Sequence, residues 1–177
     1  MGTLKVVMHF IIEIKWMKQN SIMHALMCIF KTPSIKNVRV SDLSKLLTPN
    51  LLEIGFDQRV ISRAIGWLTE LTTLEQKGVF QSPSTNSTRV WSDQEYEYLG
   101  VEGVSYLTKL YKMNILDDFS RELLIDRLIA LEESPVGLPS IKIVLMMILN
   151  LLPNHGKVTE SFAGLLALEE LSSDTAH

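Results

Sequence analysis

Arg59 and Arg63 stand one helical turn apart, with Gln58 and Ser62 beside them, and Arg89 follows the polar stretch Ser82-Pro83-Ser84-Thr85-Asn86-Ser87. Cations and short polar side chains at this spacing are the groups that hold phosphates along a nucleic-acid groove or carboxylates on a partner surface. These three arginines are the candidate contact residues of the chain.

The remaining reactive side chains do not assemble into a constellation. His9, His24, His155 and His177 fall in unrelated segments, without the His-x-x-x-His or His-plus-carboxylate spacing that would put two metal ligands on one helix face. The single cysteine, Cys28, excludes an internal disulfide and a cysteine-built zinc site, and its place in the apolar run Ala25 to Phe30 makes it a small hydrophobe. No phosphate-binding glycine loop and no Gly-x-Ser-x-Gly elbow occurs. Asp117-Asp118 and Glu132-Glu133 sit at expected helix boundaries, and the former pair suits the positive end of a helix dipole. The chain therefore reads as a non-enzymatic protein with no cofactor and no metal.

The elements that carry these residues are mostly helical. Ile22, Leu26 and Ile29 form one stripe with Met23, Met27 and Phe30 beside it, which predicts a buried helix over residues 19–31, ended by Thr32-Pro33. Ser41 is placed to cap a second helix through Leu43, Leu46 and Leu47, and Pro49 is expected to restart or kink it. Gly55 supplies a turn, and Asp57 caps a third helix to about Leu74 whose apolar face holds Val60, Ile61, Ala64, Ile65, Leu68 and Leu71. Gly78-Val79-Phe80-Gln81 and Thr88-Arg89-Val90-Trp91 are β-prone runs on either side of a turn-rich tip and predict a short hairpin.

Beyond the hairpin, Ser92-Asp93-Gln94-Glu95 has the form of a capping box and opens a helix that Gly100 and Gly103 should break. A further helix carries Val104, Leu107, Leu110 and Tyr111, and an amphipathic one follows over Arg121 to Glu133. On the latter, Glu122 and Asp126 share a face at i,i+4, so Arg121, Arg127 or a base from another segment must offset their repulsion in an ion-pair network. Ile141 to Leu152 is apolar nearly all round and is expected to be the central core helix, and a last helix spans roughly Thr159 to Leu171. Trp67 and Trp91 read as core or core-edge side chains.

The order helix, Gly55 turn, helix and hairpin is that of a winged helix, which would set Gln58, Arg59, Ser62 and Arg63 toward a groove and Arg89 on the wing. The predicted fold is mainly α: a helical domain whose winged-helix-like front, three helices plus a short β-hairpin, packs on a carboxy-terminal helical core. Residues 17–92 read as the front, 93–171 as the core and 172–177 as a flexible tail.

Charge divides the same way. Residues 1–65 carry nine Lys/Arg against four Asp/Glu, and residues 66–177 carry eight against sixteen. Two arginines on one helix are few for neutralising phosphates, and the acidic remainder opposes nucleic acid. A protein partner is therefore the first expectation, with nucleic acid the alternative. The uncharged run Val6 to Ile12 is far short of the roughly 20 residues a spanning helix needs, and Glu13, Lys15 and Lys18 follow it, so the reading is cytoplasmic with no membrane span.

Taken in order, several short motifs resemble the Smg family of small bacterial cytoplasmic proteins. They are Ala25-Leu26-Met27-Cys28-Ile29-Phe30, Gly55-Phe56, Ala64 to Leu68, Arg89-Val90-Trp91 with Glu95, and Ile115-Leu116. Arg121-Glu122, Ile125-Asp126-Arg127, Ala130-Leu131, Ile141-Lys142 and Leu145-Met146 continue the series. The resemblance covers about Ile22 to Leu166 and implies the helical scaffold without implying any reaction. Because members of that family begin close to the first helix, the resemblance implies that residues 1–16 are an amino-terminal extension, with Met17 a second candidate start.

Overall fold

The computed structural model describes residues 21–31, 40–77, 89–132, 134–151 and 160–166. Six helices are bounded within them: α1 (Ile22–Lys31), α2 (Val40–Ile54), α3 (Gln58–Lys77), α4 (Asp93–Lys112), α5 (Asp118–Ile129) and α6 (Leu138–Leu151). Residues 160–166 are also helical.

Helix ends follow local chemistry. The Ser21 hydroxyl accepts from the His24 N–H at 3.1 Å and starts α1. Asp57 Oδ1 accepts from the Arg59 N–H at 2.8 Å, as expected of a cap on α3. Ser92 and Glu95 form the predicted capping box, with the Ser92 N–H donating to Glu95 Oε2 at 2.8 Å and the Glu95 N–H to Ser92 Oγ at 3.3 Å. Asp117 and Ser120 form a second such box ahead of α5. Where α2 stops, the Phe56 N–H bonds to the Leu51 carbonyl and the Gly55 N–H to that of Leu52, both at 3.0 Å, closing the turn through Gly55 at φ +101°. Asn114 does the same for α4 at φ +55°.

Pro49 lies inside α2 without dividing it, so the two-piece helix expected there is one helix from Val40 to Ile54. Pro49 is exposed on its helix, and its ring removes one N–H from the helical ladder. The break expected at Gly100 and Gly103 is real only at Gly100, which sits at φ +66°, ψ +169°, a conformation essentially restricted to glycine. The kink leaves carbonyls of the preceding turn without their helical donors, and the loop before α6 supplies replacements. The Val136 N–H donates to the Tyr98 carbonyl at 2.7 Å and the Ser134 hydroxyl to that of Glu97 at 3.3 Å. Gly103 stays helical because α6 lies against it: a Cβ there would fall 2.9 Å from Ile141 Cδ1.

Packing joins two groups of helices. In the front, α3 packs on both α1 and α2; behind, α5 packs on α4 and α6, and α4 on α6. The α3–α5 contact joins the groups. Met23, Ala25, Leu26, Ile61, Ala64 and Leu71 fill the front, while Leu107, Leu110, Leu123, Leu124, Leu128, Val144, Leu145 and Ile148 fill the back, all almost completely removed from water. Phe162 and Leu166 are likewise buried. The apolar helix α6 is part of this core as expected, and α5, with more polar residues, packs on α3, α4 and α6, while α3 packs on α1, α2 and α5, so these two helices join the groups. Helix α5 can do so because its two buried arginines, Arg121 and Arg127, have carboxylate partners.

No strand occurs among the described residues. Gly78 to Thr88 lies outside them, and Arg89-Val90-Trp91, expected as the second strand of the hairpin, is an irregular lead-in to α4. Its physical determinant is Arg89, whose side chain enters an ion-pair network with α4 and α5. The mainly α reading therefore stands, with the three helices of the front but not the described part of the wing. Residues 1–16 and 172–177 also lie outside the described part, as does Leu168 of the last expected helix.

Gly100→Ala is expected to lower stability by about 1–3 kcal/mol from backbone strain alone, since no atom lies within 4 Å of the added methyl. Gly66→Ala, in the exposed interior of α3 and equally unobstructed, is expected to raise it by about 0.5–1 kcal/mol. Paired urea denaturation of the two variants checks both signs.

Candidate functional site

Arg89 is held between two helices. Its Nε donates to Glu122 Oε1 at 2.7 Å and its Nη2 to Glu122 Oε2 at 3.0 Å, while Glu95 accepts from both Nη1 and Nη2. Glu122 also accepts from Arg121 Nε at 3.0 Å, and Arg121 Nη2 reaches Asp118 Oδ1 at 2.9 Å. The result is an alternating row, Asp118, Arg121, Glu122, Arg89, Glu95, that ties the start of α4 to α5. Two aromatic faces cover it, with the Arg89 guanidinium 4.1 Å from the Trp91 ring centre and that of Arg121 4.4 Å from Tyr111.

The network explains the titration of its members. Burial alone would lower the pKa of Arg89, but the hydrogen bonds to Glu122 and Glu95 and the charges behind them more than reverse this, holding it above the ordinary arginine range. Burial would raise Glu122 and Glu95. The Arg89 hydrogen bond overrides it in both, helped by Arg121 at Glu122 and by the Ser92 N–H at Glu95, and both carboxyls fall below the ordinary value of 4.5.

Trp91, fixed by Arg89, borders an open groove of about 560 Å³ along α4. Trp91, Tyr96, Val104 and Met113 supply its apolar and aromatic surface, and Ser105 and Thr108 its small polar positions; Lys109 and Lys112 flank it. Tyr96 and Met113 keep 44% and 46% of their surface in water. The Thr108 hydroxyl donates to the Val104 carbonyl at 2.8 Å, so it presents mostly its methyl group. None of the described lining residues is a carboxylate.

The three predicted contact arginines are placed differently from one another. Arg59 is exposed on α3, and Gln58 and Ser62 are exposed near it as the spacing implied. Arg63 is exposed and paired with Glu132. Arg89 is largely buried and committed to the network, so what it contributes to a surface is the orientation of Trp91. The network itself is the one that the Glu122/Asp126 spacing called for, and Trp67 and Trp91 are at the core and its edge. The groove was not found from sequence. Its only linear trace is the pair of i,i+4 rows Val104-Thr108-Lys112 and Ser105-Lys109-Met113, in which apolar, small and basic residues mix instead of sorting by face. Among the described residues, no group of three or more His, Cys, Asp or Glu is placed to hold a metal ion, and no helix is long and apolar enough to cross a membrane.

A family model described as a protein of unknown function, DUF494, matches residues 22–173. Curated relatives include a protein from Nitrosococcus oceani named Protein Smg homolog, 34% identical over 78% of this chain and 87% of its own length. Homologues of the same name from Coxiella burnetii and Vibrio parahaemolyticus are 33% and 31% identical, each over 75% of this chain and 84% and 86% of their own lengths. No solved structure matches.

Because Glu95 and Glu122 bind protons less readily in the folded state than in the unfolded chain, their stabilisation is complete above the ordinary range near pH 4.5 and is lost as pH falls through their lowered values. Glu122→Gln is expected to cost about 1–3 kcal/mol at pH 7 and to flatten the loss of stability below pH 4.5, read by denaturation across a pH series.

Proposed function

Because the chain belongs to the DUF494 family of Smg homologues, whose description assigns no activity, we propose its function from surface chemistry: a non-enzymatic, cytoplasmic protein-interaction module that docks a partner in the α4 groove. The observation that carries this reading is the exposure of Tyr96 and Met113 beside the half-buried Trp91 in one groove, built on a rigid support. Trp91 is clamped by Arg89, and Val104, Thr108 and Lys112 follow one ridge of a helix anchored on α5 and α6. Exposed aromatic and methionine side chains around a concave surface are the usual anchors of a protein interface. The two carboxyls with lowered pKa values, Glu95 and Glu122, are held by arginines and are not among the described residues that line the groove.

The alternative is nucleic-acid binding through Arg59, Arg63 and Arg89. Its basis is narrower, since Arg89 is neutralised by two carboxylates and Arg63 is paired with Glu132, whereas phosphate binding draws on several accessible cations.

Selection of random displayed peptides against the full chain tests the groove. The expected result is a set of peptides that bind the wild type and lose at least about tenfold in affinity, roughly 1.4 kcal/mol, against Ser105→Arg, which fills the groove from an exposed position. Enriched peptides that bind Ser105→Arg as well as the wild type place the interaction elsewhere and refute the assignment.

A further inference from the structure

Away from the α4 groove, helix α2 carries an exposed face whose residues complement one another under a two-fold rotation. We infer that this face pairs with α2 of a second copy of the chain, antiparallel, about an axis at Pro49. Leu47 and Leu51 bury the inner side of α2. On the outer side Lys45, Pro49 and Glu53 recur at i, i+4 and i+8, and Leu46, Pro49 and Leu52 at i, i+3 and i+6. The two rows cross at Pro49, so all five side chains lie within about 60° on either side of one line along the helix. All five are exposed, and Leu46 and Leu52 keep 41% and 47% of their surface in water.

Symmetry supplies the occupant. A two-fold axis perpendicular to α2 at Pro49 sets any residue before Pro49 opposite the residue equally far after it in the second copy. Lys45, four places before, then faces the second copy's Glu53, four places after, and the contact repeats across the axis. Leu46 and Leu52, each three places out, meet in the same way. Two ion pairs thus flank four leucines around the two Pro49 rings. A parallel pairing would set Lys45 beside Lys45 and Glu53 beside Glu53, so charge selects the antiparallel arrangement. The leucines supply the affinity, and the ion pairs, each weak at a surface, fix the register. From Lys45 to Glu53 the contact follows only about 12 Å of helix axis. An interface this short makes a weak dimer, populated at roughly micromolar concentration and above.

Sedimentation velocity of the full chain from about 5 to about 500 µM tests the pairing, with each variant confirmed folded by circular dichroism. The wild type is expected to pass from monomer to dimer across the series. Lys45→Glu and Glu53→Lys should each weaken the dimer at least about tenfold, because either one sets like charges opposite each other at two places. An equimolar mixture of the two variants, or the double exchange Lys45→Glu/Glu53→Lys in one chain, should restore it. Leu52→Lys should abolish it. A wild type that stays monomeric throughout overturns the inference and leaves the face to a different partner. Dimerisation that persists in Leu52→Lys, or that ignores both charge reversals, overturns it by placing the contact elsewhere or in another register. None of the five residues is among those that line the α4 groove, so neither result bears on the docking reading there.

Discussion

The structure depends on bringing a charged helix into its interior. Helix α5 lies between α3, α4 and α6, and the side chains of Arg121 and Arg127 are nearly as buried as its leucines. Arg127 meets α3 through a reciprocal arrangement. The Trp67 indole N–H donates to the Arg127 carbonyl at 2.8 Å, and the Arg127 guanidinium reaches Glu70 at 2.8 Å and Asp126 at 2.8 and 2.6 Å. A buried guanidinium without such partners would be strongly unfavourable, so these bonds fix the one geometry in which the two groups of helices can close on each other. Apolar packing alone is tolerant of sliding; a two-way hydrogen-bonded contact between Trp67 and Arg127 is not.

The same solution recurs on the other side of α5, with a surface consequence. Arg121 and Arg89 share Glu122, and Arg89 adds Glu95 at the capping box of α4. One glutamate therefore closes the end of a helix and anchors an arginine from the preceding segment. Trp91 lies on that arginine, at the edge of the groove, so the interior charge network and the exposed aromatic wall form one construction. The Gly100 kink belongs to it too, because the bend separates the capped first turns from the turns that carry the groove, while Ser134 and Val136 satisfy the carbonyls it frees.

Much of the scaffold was legible in the linear chain. Residues that act on neighbours three or four positions away, such as Asp57, Ser92, Glu95 and Gly55, have a role that spacing expresses directly. The crowding of Glu122 and Asp126 announced a need for nearby cations, because like charges one turn apart must be offset. The partners of Arg89 were not legible in the same way. A basic residue beside Val90 and Trp91 has the pattern of an exposed strand, and only the approach of α5, some thirty residues later in the chain, turns it inward. Pro49 stands inside α2 without ending it, because the turns on either side of its ring continue the helix.

What the sequence determined by itself is the set of helices, their caps and turns, and the family to which the chain belongs, since these follow from short-range hydrogen bonding, periodicity and the order of motifs. Tertiary structure decided which helices join the two groups, where Arg89 points and that Trp91, Tyr96, Val104, Lys109, Lys112 and Met113 share one groove. Those outcomes depend on desolvation and on side chains far apart in the chain. Burial is a property of the whole packing arrangement, and a residue's spacing from its sequence neighbours carries no record of it.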